Sequence, residues 1–418
     1  MFIARSAARI ARARTLFVLL ALLPCIALVA WAVHRRSTAH RDAVQLGWQR
    51  QLGLPLAVAA IDHPRPGVVR GFDCVINAAD GGPALSAPQI EVETTTNELR
   101  LRIDRLRCNA TAAAVLAGVA REWLERSARY DRNCVIEVAD FAWETADPDE
   151  PTTLKIECVA RADTRAVRIV RLGAADTPDE VRVVRATDTP AGGSTPDERS
   201  AVRFEVEADC RRPLPFAILA ACAAGSPPDR LDAGSHARVT GTLRATGNAD
   251  GWSGTAHGLV ERVDLAALTA ALAGGASAEA TISVNELRWS ADRIDTCDLG
   301  CAAGRGEVGQ QLLESLVATL GCRPGAAYGP ADGRRRSFDA AAWRLQIDGR
   351  GAELQAGPGL GGGLATLGGQ SLVDPPAGAF PAERLAWLMA PRGSTFVPAG
   401  GPGGWLMSIL PKSGKRGQ

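Results

Sequence analysis

The sequence predicts an α+β fold that is mainly β: an N-terminal transmembrane helix, then a long, curved, mostly antiparallel sheet with a few packed helices. Three observations carry this. Thr15–Val33 is a nineteen-residue run without a charge, strict apolar–polar alternation recurs through the rest of the chain, and four short helical stripes interrupt it.

At about 1.5 Å of rise per residue, nineteen residues make roughly 28 Å of helix, close to the ~30 Å hydrocarbon core of a bilayer. Leu16, Phe17, Leu20, Leu23, Ile26, Leu28 and Trp31 are the anchor side chains, and Trp31 suits the interface. Pro24 is tolerable in such a span. The leader carries Arg5, Arg9, Arg12 and Arg14, and His34, Arg35 and Arg36 close the run. Ala30-Trp31-Ala32 fits a small-x-small cleavage site, so a cleaved signal sequence is the alternative. Signal sequences, however, use only ~7–15 apolar residues. Arg35, Arg36, Arg41 and Arg50 nearly balance the leader in the positive-inside count. An inside N-terminus is preferred because long domains translocate regardless of local charge.

Beyond residue 36 the alternation Ile90-Glu-Val92, Leu99-Arg-Leu101-Arg-Ile103 and Leu154-Lys-Ile156-Glu-Cys158 marks strands with one wet and one buried face. Thr94–Asn97 reads as the hairpin turn between the first two. The pattern continues in Val202-Arg-Phe204-Glu-Val206, Thr281-Ile-Ser-Val284 and Trp343-Arg-Leu345-Gln-Ile347. The first stripe, Thr111 to Arg129, carries Val115, Leu116, Val119 and Trp123. Asp264 caps a helix through Leu265, Leu268 and Leu272 that Gly274 stops. Glu307 to Leu320 repeats Val308, Leu312, Leu316 and Leu320, ending at Gly321, and Pro381 starts a short helix through Leu385 and Leu388. Pro/Gly/Ser/Asp-rich loops near 187–200, 225–237 and 323–337 divide the chain into a leader and anchor (1–36), a first β-rich domain with one helix (37–210), a second with helices (211–330) and a C-terminal hairpin, short helix and flexible tail (331–418).

One repeat crosses those boundaries. Ile136-Glu-Val138-Ala-Asp140-Phe141-Ala-Trp143 matches Ile282-Ser-Val284-Asn-Glu286-Leu287-Arg-Trp289, each after a strand and a helix, which predicts two equivalent strand–helix–strand units.

A net charge of +1 gives no electrostatic argument for nucleic acid or an acidic partner. Arg334-Arg335-Arg336 reads as solvated loop. Ten cysteines lack any Cys-x-x-Cys, and Cys297-x-x-x-Cys301 has no neighbouring histidine, so zinc is not expected. Cys74, Cys108, Cys134, Cys158 and Cys210 alternate in phase with apolar residues. They read as small buried hydrophobes, with one or two cross-strand disulfides as the alternative. Gly357-Pro-Gly359-Leu-Gly361-Gly362 satisfies G-x-G-x-x-G but precedes a glycine-rich stretch unable to form the helix that would hold a pyrophosphate. His63 lies in a turn, His257 and Ser253 are too far apart on an extended strand to form a catalytic pair, and Glu144, Asp147, Asp149 and Glu150 lack the glycine of a calcium loop. No catalytic, cofactor-binding or metal residue is assigned.

Leu52-Gly-Leu54-Pro-Leu-Ala-Val58, the Arg65-Pro66-Gly67-Val68 turn, Ile90-Glu-Val92 and the Gly241-Thr-Leu243 to Gly254-Thr-Ala256 hairpin followed by Val263-Asp264-Leu265 resemble the AsmA-like superfamily of bacterial envelope proteins. The resemblance lies in texture and order over most of residues 15–350. This chain is shorter than the long members and its helices are more prominent. The resemblance implies a single-pass inner-membrane protein with a periplasmic C-terminal domain whose curved sheet forms an apolar groove for phospholipid, in lipid transport or outer-envelope assembly. Leu101, Ile103, Ile136, Val138, Phe204, Ile282 and Val284 are the candidate groove residues. The second reading is an anchored adaptor that binds another envelope protein without lipid cargo.

Overall fold

The structure, a computed structural model, describes residues 7–78, 81–109, 111–125, 132–143, 152–161, 163–173, 177–188, 201–216, 232–272, 274–330, 334–390, 397 and 401–411. The acidic loop at 144–150 and the tail after 411 lie outside these residues.

Helix α1 runs in three pieces: Ala7–Phe17, a π-helical turn Val18–Leu22, and Leu23–Arg35. The π turn has an identifiable cause. Pro24 lacks an N–H and its ring crowds the carbonyl four residues back. A wider turn in which Leu23 N–H reaches Val18 O absorbs the misfit. Ala11–Arg35 is long and apolar enough to cross a membrane, and none of its apolar window is buried by the described residues. Leu16, Phe17, Leu20, Leu23, Ile26, Leu28 and Trp31 are all exposed.

Helix α2 (Thr38–Leu52) follows, in a region whose apolar spacing gave no helical signal. Ser37 caps it by accepting from His40 N–H, and Gly53 (φ 68°) ends it in the left-handed conformation. Its buried Trp48 lies on Gly71, where a Cβ would meet the indole at 2.9 Å. Gln45 and Gln49 hydrogen-bond the backbone of Val58 and Leu56.

The strands are β1 (Leu56–Ala57), β2 (Ala60–Arg65), β3 (Val68–Asn77), β4 (Pro83–Thr94), β5 (Glu98–Cys108), β6 (Asn133–Trp143), β7 (Thr152–Ala160), β8 (Thr164–Leu172), β9 (Asp179–Asp188), β10 (Ala201–Pro215), β11 (Arg238–Asn248), β12 (Gly251–Asp264), β13 (Ala276–Ser277), β14 (Glu279–Ser290), β15 (Arg293–Ala303), β16 (Gly306–Gly309), β17 (Arg323–Pro324), β18 (Arg335–Phe338), β19 (Ala340–Asp348), β20 (Gly351–Ala356), β21 (Ala365–Leu367) and β22 (Gln370–Asp374). Nineteen share one sheet, and β13, β16 and β18 make a second. From β3 to β12 the strands pair in sequence order, then through β14 and β15 to β19 and β20. Every expected alternating segment is a strand. One sheet continues across 210, where β10 pairs with β11 on both sides of an irregularity between Cys210 and Leu214, and across 330, where β15 pairs with β19.

One pairing is parallel, β5 with β6, linked by helix α3 (Ala112–Glu125). Asn109 Oδ1 receives the N–H groups of Thr111 and Ala112 at the helix start. The matching repeat behaves differently. Helix α4 (Leu265–Leu268) is one turn long, although Asp264 caps it as expected by accepting from Ala266 N–H at 2.8 Å, and β12 and β14 pair antiparallel. Fourteen residues of helix carry the chain back along the sheet for a parallel return, whereas one turn only makes a corner. The two units share sequence texture but not topology.

Helix α5 (Gln310–Ser315), extended by a π turn Leu316–Leu320, starts later than the apolar spacing predicts, because Glu307 and Val308 belong to β16. It stops at Gly321 (φ 80°) as expected. Arg335 and Arg336 are in β18 rather than a free loop, with Arg335 paired to Glu307 at 3.1 Å and Arg336 donating to Gln310 Oε1. Helices α6 (Arg384–Trp387) and α7 (Pro402–Ile409) complete the C-terminal end. Apolar side chains cluster into a core spanning Trp48 to Leu154, a small one around Trp123, Leu124 and Val167, and a large one from Ala233 to Leu410.

Candidate functional site: the apolar face of the sheet

Residues in direct register across paired strands lie on one face. Tracing those partners from Leu101 gives one uninterrupted row: Leu101, Ile136, Ile156, Ile169, Val181, Ala208, Leu243, Ala256, Leu287, Cys297 and Ile347. The neighbouring row runs Cys134, Cys158, Val167, Val183, Val206, Ala245, Gly254 and Trp289. The sheet therefore shows a single apolar side from its first strands to its last. The opposite side carries ion pairs, among them Arg70–Glu91 (3.2 Å), Arg168–Glu180 (2.7 Å) and Arg344–Asp298 (2.7 Å).

The helices cover that apolar side unevenly. At one end α3 packs on β8 and β4; at the other α4 lies by β12 and β13, and α7 by β15. Among the described residues, no helix packs closely on β9, β10 or β11. Accordingly Val202, Phe204, Val206 and Leu243 are half-buried and belong to none of the three cores.

The floor between β10 and β14 is built of small residues. Gly241, Ala245, Gly247, Gly254, Ala256 and Gly258 share the apolar side there, flanked by Val206 and Phe204 on one strand and Val284 and Leu287 on another. Two tryptophans use this floor as seats. A Cβ on Gly247 would meet the Trp252 indole at 2.7 Å, and one on Gly254 would meet Trp289 at 2.6 Å. Trp252 stacks with Phe204 (centroids 6.2 Å apart) and keeps 40% of its surface exposed.

The candidate groove residues divide on this map. Leu101, Ile103 and Val138 are interior, packed in the first core. Ile136 and Ile282 are half-buried against the first and third cores. Phe204 and Val284 lie beside the small-residue floor. Trp252, Leu243 and the glycines were not singled out from sequence. Their signal is the period-two run of small residues, 241–247 and 254–258, which reads as hairpin until the register shows one side of a sheet.

One polar cluster interrupts the apolar side. Arg171 and Asp179 are partners in register and both buried, with Nε–Oδ2 at 2.9 Å. Asp179 Oδ1 also accepts from Arg211 N–H (2.8 Å) and Arg212 N–H (3.2 Å). Arg171 Nη2 donates to Arg212 O at 2.8 Å.

The cysteines on this side are free. Cys74, Cys108, Cys297, Cys301 and Cys322 are buried, and burial pushes the Cys134 thiol up to about 12. Cys134 and Cys158 face each other across β6 and β7. The bond from Arg161 N–H to Thr164 O closes the β7–β8 hairpin and fixes the alternation. It turns the backbone groups of Cys158 toward β6, so the two cysteines form a hydrogen-bonded pair with Cα atoms ~5.5 Å apart. Cβ atoms at such positions are near the upper end of the ~4.5–5.5 Å cross-strand range, beyond the ~3.8 Å a disulfide prefers.

Among the described residues, no three metal-ligating side chains converge on one point. His257 Nδ1 meets Asn285 O at 2.6 Å, while Ser253 Oγ accepts from Ala291 N–H. The glycine-rich stretch after Gly357 leads into β21, not a helix. No family model, curated protein or solved structure matches the chain.

Proposed function

We propose that this chain is an inner-membrane-anchored, periplasmic lipid-handling protein of the AsmA-like kind, whose cargo is the acyl part of a phospholipid lying on the apolar side of β9–β12. The observation that carries the reading is the contrast along the sheet. Among the described residues, the same apolar face is covered by helices at both ends and left to half-buried Val206, Phe204, Leu243 and exposed Trp252 between them. Three strand intervals at ~4.8 Å make this stretch about 14 Å across. Each methylene removed from water there is worth ~0.8 kcal/mol, so eight would contribute ~6 kcal/mol before ordering costs. The N-terminal helix supports a membrane address, and the sequence resemblance supports the envelope.

The experiment is organic extraction and mass spectrometry of lipid from the purified full chain. Phospholipid is expected at about one per protein, and Val206→Asp and Phe204→Asp should lose it with the melting temperature unchanged. A lipid-free wild type refutes the reading and favours the adaptor. So does a pair of variants that unfold, since these side chains would then be ordinary core. Protease added to spheroplasts should cut beyond residue 36; protection there would reverse the topology.

A further inference from the structure

Two half-buried histidines meet where the membrane helix gives way to the sheet. His40 lies in the first turn of α2 and His63 in β2. Their Nε2 atoms are 3.0 Å apart, so one ring donates the proton between them and the other accepts it. His34, in the last turn of α1, stands beside the pair with its ring centroid 5.5 Å from that of His40.

The rest of α2 is tied to the sheet independently of this bond. Arg41 Nη1 donates to Ala59 O (3.3 Å), Gln45 Oε1 accepts from Val58 N–H (3.1 Å), and Gln49 Nε2 donates to Leu56 O (2.8 Å). Trp48 is buried on Gly71. The His40–His63 bond is therefore the tie nearest α1. Between the two helices Ser37 is extended (φ −75°, ψ 151°), and its Oγ donates to His34 O at 2.6 Å. The angle of the corner is set by that turn and by what fastens the first turn of α2.

We propose that the His40–His63 hydrogen bond is a proton-operated latch on the joint between the membrane helix and the sheet. Closed, it fixes the angle at which the sheet leaves α1. A first added proton leaves the bond intact, because an imidazolium can donate to a neutral ring. A second sets two N–H donors against each other with no acceptor between them. The first turn of α2 then leaves β2, while Gln45, Trp48 and Gln49 keep the remainder docked.

The surroundings oppose the added protons. Burial and the Arg35 guanidinium hold both imidazoles below their ordinary pKa; His34 adds to this at His40, and Asp62 acts the other way at His63. Arg36, at the corner, brings a further positive charge. The other charges of the joint are paired: Arg41 with Asp42 (2.8 Å), Arg65 with Glu93 (3.4 Å), and Arg70, in register with Asp62, with Glu91 (3.2 Å). Two rings this close titrate as a unit. Because the folded values lie below the ~6.5 of a free imidazole, closure is complete above that pH and is lost as pH falls through the lowered values.

Hydrogen–deuterium exchange of the full chain in detergent, corrected for the intrinsic pH dependence of exchange, reads the latch. From pH 8 to pH 5 exchange across 37–44 should rise at least ~10-fold, since a state that takes up one more proton gains about tenfold per pH unit. Residues 45–52 should stay protected. His63→Gln, whose side-chain oxygen accepts from His40 whether or not that ring is charged, should keep 37–44 protected at both pH values. His63→Arg should expose 37–44 already at pH 8, and His257→Ala should behave as wild type. Protection of 37–44 that does not change with pH overturns the proposal, as does a pH step that persists in His63→Gln. Loss of protection in 45–52 together with 37–44 also counts against it, since that is unfolding of the helix and not release of one turn.

Discussion

Asp179→Ala tests the reading of the apolar face at its most exacting point. Arg171 and Asp179 retain only 7% and 5% side-chain exposure, on a largely apolar side of the sheet where Arg165 is also buried, donating to Trp123 O. Removing the carboxylate strips Arg171 of its ion pair and leaves the N–H groups of Arg211 and Arg212 without their acceptor. Breaking a buried pair in this way costs about 3–5 kcal/mol, because the remaining cation is desolvated and unpaired. A drop of roughly 10 °C in melting temperature follows. The exposed Arg168–Glu180 pair provides the contrast, since truncating Glu180 should cost less than ~1 kcal/mol. Replacing both buried partners by apolar groups, Arg171→Met with Asp179→Leu, should recover the share due to the unpaired Arg171 cation, while the N–H groups of Arg211 and Arg212 still lack their acceptor. Arg212 does not prevent this, as its side chain is 22% exposed and can turn to water. The assay is thermal unfolding by circular dichroism of the full chain in detergent. If Asp179→Ala costs no more than Glu180→Ala, the cluster is solvated and the face is not an apolar one at that point.

Three further outcomes follow from the same geometry. The thiol of Cys134, with its pKa raised to about 12 by burial, should resist Ellman's reagent at pH 8 until the chain unfolds. Because that folded value lies above the unfolded one, its stabilising share is complete below about pH 8.5 and falls away as pH rises toward 12, which alkaline melting curves would display. For Asp298 the sign is opposite. The Arg344 hydrogen bond holds its carboxyl below the usual range, so its contribution is present above ~pH 4 and is lost as pH falls through the depressed folded value. The stability gap between wild type and Asp298→Asn should therefore narrow on acidification to pH 2. Gly254→Val should cost about 1–3 kcal/mol, since its Cβ would come within 2.4 Å of Arg244 O and 2.6 Å of Trp289, and a shift of the indole should appear in tryptophan fluorescence.

The strands that were legible alternate over three to five residues, from Ile90–Val92 to Leu99–Ile103, and period two survives whatever covers the face. The helices were read less well. Ser37 caps α2, but its interior has a single buried side chain, Trp48, and no apolar stripe to announce it. The Leu265–Leu272 stripe was real, yet Thr269 Oγ1 bonds both Leu265 O and the backbone of Ala276, ending the helix after one turn. Glu307 and Val308 fit a helical period and a short strand equally, and pairing of β16 with β18 decided between them. The candidate face was only partly legible, because alternation tells which residues share a side within a strand and not which strand lies next to which. The bulges at Ala256/Gly258 and Val284/Glu286 shift the phase in ways no single-strand pattern reveals.

That phase matters for what the face can hold. Between β10 and β14 the apolar side would be as thick as elsewhere if its floor carried Val and Leu. Instead six glycines and alanines remove side-chain bulk from two adjacent strands, while Val206 and Phe204 on one flank and Val284 and Leu287 on the other retain theirs. Such a floor weakens the strands, because glycine in a strand forgoes packing and adds unfolded-state entropy. Part of that arrangement is dictated by the backbone itself: Gly241 sits at φ 146°, and Cβ atoms on Gly241, Gly254 and Gly258 would meet His257 O at 2.1 Å, Arg244 O at 2.4 Å and Thr240 O at 2.4 Å. Two of the seats are filled by Trp252 and Trp289. Of the other four, Ala245 is buried, and Gly241, Ala256 and Gly258 are half-buried on the side where no described helix packs closely. Among the described residues, the small-residue floor thus coincides with the stretch on which no helix packs closely.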